Sequence, residues 1–189
     1  SEAITHHDRE RYQTMFAKHP GAIAAPTAGL HFTPNVIESL KNHNINTTYL
    51  TLHVGVGTFQ SIRTENVEEH KMQAEQFYLS KNTIGDILKA KQNSRKIVGV
   101  GSTTTKVLES IKLKNLKPEA KTGWTDQFIF PGHKFKLVDH MITNFHLPKS
   151  TLYLLVCAFA GKELIETSYK EAIKHNYRFF SYGDAMLIL

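Results

Sequence analysis

The chain has 189 residues, of which 41% are hydrophobic and 21% charged, enough length and apolar content for one packed core and too much for an intrinsically disordered polymer. Its formal net charge of +6 permits attraction to a polyanion without demonstrating it. The longest apolar stretch, 152–160, is interrupted by Tyr153 and is too short to cross a bilayer, and no secretory leader is read at its start. A cytoplasmic protein with no membrane association is therefore expected. Cys157 is the single cysteine, which rules out an intrachain disulfide and reads as a buried thiol.

Strand-like and helix-like segments alternate, so an α/β fold is expected, a sheet flanked by helices, with 1–189 forming a single domain. A short helix over 8–17 is followed by a strand at 22–25 ending at Pro26. Thr33 then caps a helix that carries Pro34 at its first position and the apolar stripe Val36, Ile37 and Leu40. A strand over 49–56 comes next. Another at 77–79 leads to a helix capped by Ser80, with Ile84, Ile87 and Leu88 inside. The run 96–100 is strand-like, ends at Gly101 and opens directly into a helix burying Val107, Leu108 and Ile111. The lysine-rich stretch 112–126 reads as a loop, and strand signals resume at 127–130. A turn at Pro131-Gly132 and a strand over 139–143 precede an apolar helix at 150–160. A helix over 163–175 has Leu164, Ile165, Ala172 and Ile173 as its buried face, and a last strand spans 185–189.

The run Thr51-Leu52-His53-Val54-Gly55-Val56-Gly57-Thr58-Phe59 carries two faces. With a period of two, Leu52, Val54 and Val56 share the core side, while Thr51, His53, Gly55, Gly57 and Phe59 share a side kept open. Glycines beside a histidine suit the close approach of a ligand, and they suit a bulge or a packed neighbour equally well. Small and polar residues recur at other strand ends: Thr27, Gly29 and His31; Gly101, Ser102, Thr103 and Thr104; Asn144 and His146. Ligands bind at such tips where parallel strands face a crevice.

Gly101 followed by hydroxyls at a helix start can cradle a carboxylate or phosphate, or can simply cap the helix. His146 can act as a general acid or base, or hold a backbone carbonyl. In Tyr177-Arg178-Phe179-Phe180-Ser181-Tyr182-Gly183-Asp184, the aromatics and Arg178 suit stacking on a nucleobase, or core packing with a surface ion pair. The histidines His53, His70, His133, His140 and His146, with Glu75, lack the spacing of a zinc site, so no metal is expected. No Gly-x-Ser-x-Gly elbow supports a hydrolase triad.

Five ordered segments, Tyr12-Gln13-Thr14, 24–33, 51–59, 143–151 and 177–186, resemble the S-adenosylmethionine:tRNA ribosyltransferase-isomerase family of queuosine biosynthesis. The similarity spans this whole chain but about half of the family's length. It implies the main α/β domain without its N-terminal segment and inserted small β-barrel domain. It further implies transfer and isomerisation of the ribosyl moiety of S-adenosylmethionine onto 7-aminomethyl-7-deazaguanine at the wobble position of tRNA. Epoxyqueuosine is the product, and adenine and methionine are released. S-adenosylmethionine is then a co-substrate, with no tightly bound cofactor.

The roles implied are catalytic for His53 and His146, with His31 and Asp184 in reserve. Substrate binding falls to Thr27, Gly29, Gly55, Gly57, Thr58, Gly101, Ser102, Thr103, Thr104, Asn144, Arg178 and Tyr182. The chain departs from the family pattern at Gln73, where a second histidine is usual, at Lys106 in place of arginine, and at Ser102 in place of threonine. A non-catalytic RNA-binding module and an inactive fragment of the enzyme are the competing readings of the same residues.

Overall fold

The computed structural model describes residues 12–55, 62, 64–112 and 117–189. Six strands among them form two three-stranded sheets. The first sheet has the order β1-β2-β4, all antiparallel, from β1 (Leu50–His53), β2 (Glu75–Leu79) and β4 (Lys121–Thr125). The second has the order β3-β5-β6, from β3 (Val98–Val100), β5 (His140–Asn144) and β6 (Ala185–Ile188). There β3 runs parallel and β6 antiparallel to the central β5. Among the described residues, five α-helices accompany the sheets: α1 (Pro34–Asn42), α2 (Lys81–Gln92), α3 (Ser102–Ser110), α4 (Thr151–Ala160) and α5 (Lys162–Lys174).

The helix starts follow local chemistry. Thr33, Ser80 and Ser150 each accept an N–H from the first turn through their hydroxyls, at Val36, Thr83 and Tyr153, which satisfies one of the amides a helix leaves open. By contrast, α3 starts at Gly101, with φ +92° and no side-chain cap.

β2 alternates buried and exposed residues, placing Glu75, Phe77 and Leu79 inward. Phe77 and Leu79 join Ile84, Ile87, Val107, Leu108, Ile111, Leu137 and Val138 in one apolar cluster. A second cluster gathers Ile129, Met141, Phe145, Leu155, Val156, Cys157, Ile165, Tyr169, Ala172 and Ile188 around the second sheet. Phe159 of α4 packs against both clusters. Glu109, at the end of α3, accepts the backbone N–H groups of Lys136, Leu137 and Val138 at 2.8–2.9 Å and so ties α3 to the segment entering β5.

Several expectations are corrected. The lysine-rich stretch is not all loop, because Lys121–Thr125 pairs along the full length of β2. Gly123 makes that possible: a Cβ there would lie 2.8 Å from the Phe77 ring, so the partner aromatic fills the space a side chain would need. No strand forms at 22–25, where a single backbone bond joins Ile23 N–H to Val54 O at 3.1 Å, and none forms at 127–130. Of the helix expected over 8–17, only 12–17 lies within the described residues, and it is turns. The stripe of α1 is not buried, and Leu164 and Ile173 of α5 are 59% and 63% exposed. Amphipathic spacing marked a face in both helices, but only Ile165, Tyr169 and Ala172 of α5 find the core.

Candidate functional site

The site is built outward from the C-terminal end of β5. Asn144 is 2% exposed there, and its amide is fully used. Thr27 Oγ1 donates to Asn144 Oδ1 at 3.0 Å, and Asn144 Nδ2 donates to the carbonyls of Gly183 and Asp184 at 3.1 and 3.4 Å. The carbonyl of Gly183 also lies 3.1 Å from His31 Nε2, so that nitrogen carries the proton of the contact. Thr27 and His31 are the two ends of a 3-10 turn, Thr27–His31. One buried amide thereby stitches that turn, the end of β5 and the 183–184 loop together.

Gly183 is required by its surroundings. A Cβ there would sit 2.5 Å from both the carbonyl O of Arg178 and the carbonyl C of Phe179, closer than any side chain tolerates. Asp184 receives the Arg178 backbone N–H at 2.8 Å and its guanidinium at 3.2 Å. Those two donors, the backbone one foremost, hold its carboxyl below the usual range. Just before the loop, Tyr182 is 57% exposed and its ring packs at a tilt against Tyr12, centroids 5.3 Å apart.

The glycine that opens α3 adjoins this cluster. Gly101 N–H donates to Ile142 O at 2.8 Å, and a Cβ on Gly101 would lie 4.0 Å from Ala28 Cβ, inside the 3-10 turn. Ser102, Thr103 and Thr104 form the first turn of α3, whose N–H groups and dipole favour an anion. One helical turn further along, Lys106 reaches the first sheet. Its Nζ lies 2.8 Å from Glu75 Oε2, and the two side chains are 5% and 2% exposed. The other carboxylate oxygen, Glu75 Oε1, accepts the Gly55 N–H at 2.9 Å. A buried carboxylate thus joins α3 to the chain leaving β1.

Sequence reasoning weighed Glu75 only as a metal ligand and Lys106 only as a departure from a pattern. The available signal was periodicity: Lys106 stands four residues after Ser102 on the buried face of α3, and Glu75 shares the inward side of β2 with Phe77 and Leu79.

His53 ends β1 with Nδ1 buried and without a hydrogen-bond partner, and its ring lies against Gly21, where a Cβ would come within 2.8 Å. His146 is held differently. Its Nε2 lies 2.8 Å from the Thr143 hydroxyl, its N–H donates to Tyr169 Oη at 2.9 Å, and burial pushes its imidazole down to about 4. His146 is therefore neutral at neutral pH and not a proton donor there. Thr27, Gly29, His31, Asn144, Gly183 and Asp184 are brought together with the Gly101–Thr104 turn, whereas Gly55 belongs to the Glu75–Lys106 group. Gly57 and Thr58 lie outside the described residues. Among the described residues, no three His, Cys, Asp or Glu side chains gather as metal ligands.

The end of β5, the Thr27–His31 turn, the 183–184 loop and the start of α3 therefore meet in a protein of mixed sheets flanked by helices, the α/β class. The sequence matches the model of the queuosine biosynthesis protein family over residues 1–188, and the chain belongs to that family. It is 53% identical over 182 residues to the S-adenosylmethionine:tRNA ribosyltransferase-isomerase of Halothermothrix orenii, covering 96% of this chain and 53% of that protein. The Thermotoga petrophila protein of the same name is 52% identical over 180 residues, with 95% and 53% covered. The crystal structure of S-adenosylmethionine tRNA ribosyltransferase from Thermotoga maritima superposes with a TM-score of 0.71 at 44% identity, covering 86% of this chain and 51% of that one. The chain spans about half the length of the relatives it matches.

Proposed function

We propose that this chain carries the S-adenosylmethionine-handling part of a tRNA ribosyltransferase-isomerase acting in the cytoplasm. The ribosyl moiety of S-adenosylmethionine is transferred to the aminomethyl group of 7-aminomethyl-7-deazaguanine in the tRNA anticodon and closed to the epoxide, releasing adenine and methionine. The observation that carries this reading is a family match along residues 1–188, with relatives of that printed name about half identical to the chain.

Within it, the first turn of α3 holds the methionyl carboxylate, because free N–H groups at a helix start favour a negative group. Thr27, Gly29 and Asn144 shape the wall beside it, and Gly57 and Thr58 are assigned to substrate binding on the family resemblance alone. His53, the imidazole at the end of β1, is the preferred base for the acidic proton beside the sulfonium. His31 is the preferred acid for the departing adenine, through Nδ1, the ring nitrogen that the Gly183 carbonyl does not engage. His146 and Asp184 are better suited to holding the site, because their polar atoms are already engaged. Arg178 and Tyr182 offer a cation and an aromatic face to the RNA.

The test is adenine release from S-adenosylmethionine with tRNA bearing the deazaguanine, measured in a full-length relative and in this chain. The full-length enzyme is expected to release adenine only with that tRNA, and the substitution at its equivalent of His53→Ala to lower turnover by roughly 10²–10⁴-fold. No release by the full-length enzyme overturns the reading. Near-normal turnover of the alanine variant overturns the role of His53.

A further inference from the structure

The first sheet has one face packed on the core and another left open. The register places Thr51, Tyr78 and Thr122 in one row across its three strands, and His53, Gln76 and Trp124 in the next. Leu50, Leu52, Phe77 and Leu79 occupy the opposite, core side. Tyr78 is 42% exposed and Trp124 67% exposed, which is unusual for large aromatics on a regular strand with ordered neighbours. Gly21 lies over the His53 ring and closes one end of the second row.

We propose that this open face, centred on Trp124 and Tyr78, is a platform on which unpaired nucleotides of an RNA strand stack. The proposal rests on the reading that the family's substrate is a tRNA. The chemistry of the face favours RNA over a protein partner. Its two rows hold two aromatic rings, an amide, an imidazole and two hydroxyls, with no carboxylate and no aliphatic side chain. Aromatic faces take up bases of any sequence, and amides and hydroxyls meet base edges and 2′-hydroxyls. A protein-covered sheet face would instead show aliphatic side chains such as the leucines on the core side of these same strands. The whole chain carries a net charge of +6, which complements a phosphate backbone.

Trp124 is the only tryptophan in the chain, so intrinsic tryptophan emission reports this face alone. Titration of the purified chain with an unmodified anticodon stem-loop RNA is expected to quench that emission saturably, with affinity falling as salt rises. Trp124→Ala and Tyr78→Ala, followed by the anisotropy of labelled RNA, are each expected to weaken binding by about 5–100-fold, the range for losing one stacked base. Both are surface positions, so a circular dichroism spectrum matching the parent confirms that the fold is kept.

Binding of RNA with unchanged tryptophan emission and unchanged affinity in both variants overturns the platform while leaving the tRNA reading intact. Concentration-dependent dimerisation that shifts the emission without RNA also overturns it, by making the face an interface between copies. A full-length relative that releases no adenine with tRNA overturns the underlying reading instead.

Discussion

At the scale of single residues, the site depends on groups whose positions leave little choice. Gly183→Ala would drive a Cβ into the carbonyl groups of residues 178 and 179; a loss of about 2–3 kcal/mol is expected, read as a lower melting temperature. Asn144→Ala removes the amide that joins the Thr27 hydroxyl to the 183–184 loop. It should cost about 2 kcal/mol and raise the dissociation constant for S-adenosylmethionine measured by calorimetry. His146 gives a pH signature. Its imidazole is held at about 4 against an ordinary 6.5, so the unfolded chain binds the extra proton between those values. The contribution is complete above pH 6.5 and is lost as pH falls toward 4, amounting to at most about 3 kcal/mol. In His146→Gln, the slope of stability against pH should flatten in that window, as followed by denaturant melts. Among these residues, Asn144 and Gly183 were visible in the sequence as members of polar, glycine-containing runs. That His146 is a neutral, hydrogen-bonded group was not, because burial and the neighbouring Thr143 hydroxyl decide it.

At the scale of elements, α3 is the part that reaches both sheets, through Gly101 to Ile142 and through Lys106 to Glu75. Replacing Lys106 by Met leaves a buried carboxylate beside the Gly55 N–H. A loss of about 3–5 kcal/mol is expected in a urea melt, and much of it should return in the double variant Glu75→Gln, Lys106→Met, which keeps an acceptor for Gly55. The strand–glycine–helix passage from Val100 through Gly101 into α3 was legible from sequence, as were the serine and threonine caps, because those signals are local. β4 was not legible. Its residues Lys121, Thr122 and Gly123 carry no hydrophobic period, and the strand exists because Phe77 of β2 covers Gly123. The α1 stripe failed in the opposite way: the periodicity was present, but no element among the described residues buries it.

At the scale of the whole molecule, the α/β class with sheet flanked by helices was readable, and the described strands divide between two sheets. Among the described residues, parallel pairing is confined to β3 and β5, while β1, β2 and β4 form an antiparallel sheet of their own. Strand order depends on long-range pairing, which no window of sequence displays. Two apolar clusters result, and Phe159, stacked edge-on against Phe135 at 4.6 Å, packs against both. This shared ring sets how the molecule comes apart. With it in place, heating should give one transition whose calorimetric and van't Hoff enthalpies agree. Phe159→Ala should remove about 3 kcal/mol and let the two clusters melt at separate temperatures, so one half of the chain can lose its order while the other keeps it.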